Sequence, residues 1–207
     1  MTTACIVTYN DYPLIKKCIE SIYNKVDKII CVDGRYKDFP DYAQGWFSTD
    51  GTIEYLLSLP KVELRFAANL YEADKRSVYL HNLNDGEAIL MIDSDEVLEG
   101  NIPPLNADIG LVRYCELKSS RGFYLATRFF KFRQGLHYSG IHFILETAGG
   151  KLFNNRCGAE PGFTSEEIKG FRVVHDREAR DKNRKYSKIQ YCKTLGQREA
   201  QYQKGNY

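Results

Sequence analysis

The chain has 207 residues, which fits one sizeable domain with a full core and argues against two independent ones. An apolar fraction of 43% with 27% charged residues is ordinary globular composition and excludes a disordered chain. The formal net charge of +2 neither demands nor excludes nucleic acid, so any basic function has to come from local clustering.

Met1 to Ile6 has no basic lead and no long apolar region, so no signal peptide is expected, and no window reaches the length of a spanning helix. The cysteines at 5, 18, 31, 115, 157 and 192 form no CxxC pair. A reduced, cytoplasmic protein is expected, with peripheral membrane contact left open. Tyrosine and phenylalanine are abundant, 15 and 11 residues, beside one tryptophan; such residues line sugar or base sites but more often fill cores.

Ala4 to Tyr9 reads as a buried strand. Asp11 and Pro13 mark a helix start, behind which Leu14, Cys18, Ile19 and Ile22 recur at helical spacing. Lys28 to Val32 is a second strand ending at Asp33-Gly34, so the chain opens as a βαβ unit with a parallel sheet. Arg35 to Phe47 is polar and aromatic and reads as a loop inserted at the carboxyl edge of that sheet. Ser48 to Thr52 is a turn and helix cap before a short helix closed by Pro60, and Val62 to Phe66 alternates as a strand. Glu72 to Leu83 is expected to be helical, with Val78, Leu80 and Leu83 facing inward.

The apolar run Ala88 to Ile92 then stops at Asp93-Ser94-Asp95-Glu96. Ligands bind at the carboxyl ends of strands in open α/β sheets, and alternation puts Asp93 and Asp95 on one side, where two carboxylates can meet a hard cation or a ligand hydroxyl. The same residues also make turns and helix caps. Beyond Pro104, strand-like runs at 109–117, 122–132, 136–138 and 141–146 suggest a β-meander beside or continuing the first sheet. The tail from Asp176 is rich in Arg, Lys, Glu and Gln and is expected to be a largely exposed helix.

Thr8-Tyr9-Asn10, Val32-Asp33-Gly34 and Asp93-Ser94-Asp95, in that order and with Ser48-Thr49-Asp50-Gly51-Thr52 before the last, closely resemble the family 2 glycosyltransferases of the GT-A fold over about the first hundred residues. The resemblance implies a Rossmann-type, three-layer α/β fold with a mostly parallel central sheet, a β-meander in the second half and a C-terminal helix. It divides one domain, 1–207, into a nucleotide-sugar-binding half (1–100), an acceptor-side meander (101–175) and a helical tail (176–207). It implies an inverting, metal-dependent hexosyltransferase using a nucleotide-diphosphate donor, a UDP-hexose before others, and a sugar, protein or lipid-linked acceptor. Thr8, Tyr9, Asn10, Asp33, Arg76, Asp93 and Ser94 would bind the donor, and Asp93, Asp95 and a late histidine, His175, would hold Mn²⁺ or Mg²⁺.

Lys75-Arg76-Ser77 stands where the family usually shows a small residue, arginine and asparagine; Arg76 matches and Ser77 departs. Arg128-Phe129-Phe130 and Tyr138-Ser139-Gly140-Ile141-His142 match looser segments of some members, but Phe143 occupies the place of a glutamate. Inverting transfer needs a carboxylate to take the acceptor proton. Glu146, on the face of His142 in an extended strand, is the first candidate and Glu116 the second; either is equally a cross-strand ion-pair partner. A nucleotidyltransferase would need a Gly-rich phosphate loop, absent near the first strand. A nucleic-acid- or nucleotide-binding module without catalysis is the alternative, using aromatics and the basic tail.

Overall fold

The computed structural model describes residues 1–39, 45–117, 122–139, 144–147, 150–154, 158–159, 161–175 and 193. Apart from residue 193, the expected C-terminal helix over 176–207 lies outside the described residues, as do residues 140–143.

The first half is built as the apolar pattern dictates. Strands β1 (Thr2–Thr8), β2 (Lys28–Asp33), β3 (Val62–Phe66) and β4 (Ala88–Met91) pair in parallel in the order β3-β2-β1-β4. Both faces of this sheet are covered, which is why β1, β2 and β4 read as nearly unbroken apolar runs. On one face Ala4 and Ile6 pack with helices α1 (Leu14–Ile22) and α2 (Thr52–Leu57) through Ile15, Cys18, Ile19, Ile22 and Leu56. On the other, Cys5 and Val7 meet Tyr79, Leu80 and Leu83, which follow helix α3 (Glu72–Val78). The third helix is shorter than its pattern suggests. Its last residues give way to turns closed by Leu80 N to Ser77 O and His81 N to Val78 O, and Leu80 and Leu83 are still buried.

The second half adds β5 (Glu96–Gly100), β6 (Ile109–Glu116), β7 (Phe123–Lys131), β8 (His137–Ser139), β9 (Ile144–Thr147), β10 (Gly150–Asn154), β11 (Gly158–Ala159) and β12 (Ser165–His175). The expected meander divides. The β6–β7 hairpin joins the main sheet against β4, while β8 to β11 form a separate antiparallel sheet in chain order. The long β12 returns to lie parallel to β6, and β5 lies antiparallel beyond it, giving the order β3-β2-β1-β4-β7-β6-β12-β5. This is a mixed α/β architecture built on one curled, mostly parallel sheet with a small antiparallel sheet beside it. Among the described residues, no helix is long and apolar enough to cross a membrane.

Strand direction decides where chemistry gathers. Thr8, Asp33, Glu116 and His175 end parallel strands on one edge of the sheet; β4 also ends there, and β5 begins there at Glu96. Residues 92–95 alone separate β4 from β5, yet β5 pairs four positions away at the edge of the sheet, so the half β4-β7-β6-β12-β5 must curl to bring β5 back toward β4. The β5–β12 seam closes at Gly100, where φ is +93° and a Cβ would lie 2.1 Å from the carbonyl oxygen of Gly170. Gly100→Ala is therefore expected to cost about 1–3 kcal/mol by forcing strain into this seam. A lower urea midpoint with an unchanged m-value is the expected result.

Candidate active site

The turn after β4 places its acidic residues in different environments. Asp93 is held by two arginines: Arg76 Nη2 donates to Oδ1 at 2.6 Å, and Arg128 Nη1 lies 3.7 Å from Oδ2. Arg76 also donates to Glu72, one helical turn back, at 3.1 Å, and Arg128 Nη2 donates to Glu96 Oε1 at 2.8 Å. Glu96 folds back to accept from the Asp93 backbone N–H at 2.8 Å, and Tyr114 Oη donates to it at 2.8 Å. Arg76 and Glu96 are each 1% exposed, so these charges are taken from water and depend on one another. Burial raises the Glu96 carboxyl above its usual range against the opposing pull of Arg128. Burial also works against the Arg128 charge, but Glu96 and Asp93 more than offset it and hold the guanidinium protonated.

Arg128 reaches this cluster through a β-bulge. Gly110 pairs with Phe129 and Leu111 with Thr127, so Arg128 is the extra residue in its strand and its side chain is re-aimed toward the carboxylates.

Asp95 turns elsewhere. Its Oδ2 lies 2.8 Å from His175 Nε2. The register of β12 sets His175 between Glu96 on β5 and Glu116 on β6, so Glu116 neighbours the histidine at the strand end. Of Asp93, Asp95 and His175, the structure brings Asp95 and His175 together, with Glu116 beside them, whereas Asp93 is engaged by arginines. Among the described residues, no group of three or more His, Cys, Asp or Glu side chains is set to hold a metal. The Asp95–His175 pair nevertheless fits a cation that completes its coordination with phosphate oxygens and water, and the imidazole nitrogen suits Mn²⁺ better than Mg²⁺.

The ends of β1 and β2 are closed rather than open. Asp33 is fully buried, accepting from the Ser48 backbone N–H at 2.9 Å and from the Ser48 hydroxyl; burial raises its pKa, and these bonds oppose the shift. Thr8 and Ser94 both donate to Asp11 Oδ2, at 3.2 and 2.7 Å, so Asp11 ties β1 to the acidic turn. Asn10, at φ +48°, donates its backbone N–H to Ser48 Oγ at 2.7 Å. Lys75 is also fully buried. Its Nζ donates to Thr8 O at 2.7 Å and to Gly34 O, under the ring of Tyr36 at 4.6 Å, and burial lowers its pKa to about 7.

No family model and no curated protein matches the sequence. Among solved structures, the chain is similar to S. aureus TarS 1–349, with 19% identity and a TM-score of 0.43 over 57% of this chain and 36% of that one. A second structure of S. aureus TarS gives 18% identity and a TM-score of 0.42 over 65% of this chain and 23% of that one. The chain therefore spans less than half the length of either neighbour.

Glu146 is placed on β9 of the small sheet, opposite His137, whose Nε2 is 3.9 Å from its Oε2. Its near neighbour in the ladder is thus the cross-strand histidine. His142 lies outside the described residues. Sequence reasoning gave Asp11 only a helix start and Ser48 only a turn and cap, and assigned no site role to Lys75, Glu96 or Tyr114. The signal for Lys75 was its occupation of a position where a small residue is usual; Glu96 merged with the acidic run before it.

Lys75 gives this region a pH signature. Its pKa of about 7 in the fold lies below the ~10.4 of an unfolded lysine, so the unfolded chain binds more protons between these values and stability rises with pH across that window. Between pH 7.0 and 8.5 the urea midpoint of Lys75→Met is expected to rise less than that of the wild type. Equal slopes would show that Lys75 is charged throughout.

Proposed function

We propose that the chain is a metal-dependent, inverting glycosyltransferase that moves a hexose from a nucleoside-diphosphate donor, preferably a UDP-hexose, to an acceptor hydroxyl. The observation that carries the reading is the Asp95–His175 pair, 2.8 Å apart, beside an arginine-held Asp93 on the carboxyl edge of the sheet. This is where a GT-A-like fold gathers strand ends. Thr8, Tyr9 and Asp33 are buried at the ends of β1 and β2, so they support the nucleoside side of the site from beneath and do not touch the base themselves, with Asn10 beside them; the diphosphate lies toward Ser94 and the 93–95 turn. Asp95 and His175 would hold Mn²⁺, which would neutralise charge on the departing diphosphate. Arg76 and Arg128 keep Asp93 fixed and add positive potential beside it.

In the reaction the acceptor oxygen bonds to the anomeric carbon as the bond from that carbon to the diphosphate oxygen breaks. One displacement inverts the centre. The acceptor proton passes to a carboxylate, and the nucleoside diphosphate leaves with the bonding pair. Glu116, next to His175 on the neighbouring strand, is the better placed of the two candidate bases; Glu146 is the second. A lipid-linked acceptor would require only peripheral contact with a membrane.

Calorimetric titration with UDP is expected to give binding with Mn²⁺ and none with EDTA, and Asp95→Asn is expected to lose the metal-dependent binding while its circular dichroism is unchanged. Full activity of Asp95→Asn would sink the reading. Glu116→Gln is expected to lower kcat by roughly 10²–10⁴-fold with UDP affinity preserved, as removal of a general base does. If Glu146→Gln has that effect instead, the base belongs to the small sheet.

A further inference from the structure

We infer that Trp46, with Arg35 stacked on it, is the platform on which the nucleobase of the donor lies, a role that rests on the donor reading above. Residues Gly45 to Thr49 are tied as a strap across the ends of β1 and β2. Tyr9 Oη donates to Gly45 O at 3.0 Å and Arg35 N–H to Trp46 O at 2.8 Å. Asn10 N–H donates to Ser48 Oγ at 2.7 Å, and Thr49 N–H returns to Asn10 Oδ1 at 2.8 Å. Under this strap Tyr9 is 4% exposed and Asp33 0%, so neither presents a surface to a planar ligand.

The strap itself presents one. Trp46 is 51% exposed, and the Arg35 guanidinium lies 4.7 Å from its ring centroid. The cation orients the indole while half of its surface still faces solvent, which suits stacking of a second flat group. Behind it Phe47 packs edge-on against Phe66 at the end of β3, centroids 5.2 Å apart, so the strap is braced on the side away from the acidic turn. The order β2-β1-β4 sets the strap's strand two positions from β4, roughly 10 Å along the edge at the usual strand spacing. A ribose bridges that kind of separation between a base and a diphosphate held at the 93–95 turn. The strap of residues 45–49 thus covers the strand ends and offers a base site on its own outer surface.

The chain has a single tryptophan, so its emission reports this residue alone. With Mg²⁺ present, UDP is expected to quench the emission of the full chain saturably, with the Kd that calorimetry gives in Mg²⁺. Trp46→Ala is expected to weaken UDP on the order of 10- to 100-fold, the range for loss of one stacked base. Its affinity for magnesium pyrophosphate, which lacks a base, stays at the wild-type value, and Trp46→Phe restores UDP affinity. If UDP binds with unmoved fluorescence and Trp46→Ala binds it equally well, the platform is overturned while the donor reading stands. An equal loss for pyrophosphate in Trp46→Ala also overturns it, since the strap would then act on the whole site. A wild-type chain that binds no UDP in calorimetry with either Mn²⁺ or Mg²⁺ overturns both.

Discussion

The chain of charges Glu72–Arg76–Asp93–Arg128–Glu96 is the constraint on which the carboxyl edge depends. Its members come from α3, the turn after β4, β7 and β5, and each satisfies a neighbour that burial would otherwise penalise. Removing one partner from such a pair strands the other and costs about 3–5 kcal/mol, so the pieces cannot drift independently. A row of apolar residues would stabilise the fold as well or better. What apolar packing would not supply is a fixed position for Asp93 and a positive potential at the sheet edge. The network therefore explains why Asp93 and Asp95, two residues apart on one turn, do different things. The first is a structural anion between arginines, and the second is turned to His175.

Much of this was legible in the sequence where period and breakers agree. The βαβ opening, the burial of β4 and the acidic stop after it follow from apolar runs and their ends, and the curled sheet gathers those ends as that pattern implies. Strand β5 was not legible, because Glu96, Glu99 and Gly100 interrupt any alternation and its pairing partner, β12, lies more than sixty residues on in the sequence. The aim of Arg128 was also hidden. Ala126 and Phe129, three residues apart, both face the same core, a spacing that breaks strand alternation and reads as helical until the bulge between them is known. Lys75 reads as one more helix cation, yet it is fully buried, because two strand-end carbonyls, Thr8 O and Gly34 O, give its ammonium acceptors that the sequence cannot show.

The cysteines and tyrosines illustrate how composition underdetermines role. Cys5, Cys18 and Cys31 are fully buried among aliphatic side chains, and burial pushes their thiols above the ordinary range, which makes them poor nucleophiles and ordinary core residues. Tyr79 and Tyr138 meet edge to face, centroids 5.7 Å apart, where α3 passes beneath the small sheet. Tyr138 N–H also donates to Ser77 Oγ at 2.9 Å. The small sheet is therefore fastened to the same helix that carries Lys75 and Arg76.

That attachment bears on how the two halves of the site communicate. Helix α3 holds the ends of β1 and β2 through Lys75, the acidic turn through Arg76 and the small sheet through Ser77, three consecutive side chains pointing in three directions. Consecutive helical residues diverge by about 100° around the axis, so one turn of helix can touch three bodies at once. A ligand that shifts the β1–β2 edge must therefore act on Lys75, and a rigid helix passes that displacement to Arg76 and Ser77. The ends of β1 and β2 and the small sheet are in this way joined through residues 75–77. The sheet's curl joins the same strand ends to His175 and Glu116 by a second route, the 93–95 turn. A displacement at the ends of β1 and β2 is then linked to the small sheet and to the end of β12 through packed elements and not through a flexible linker.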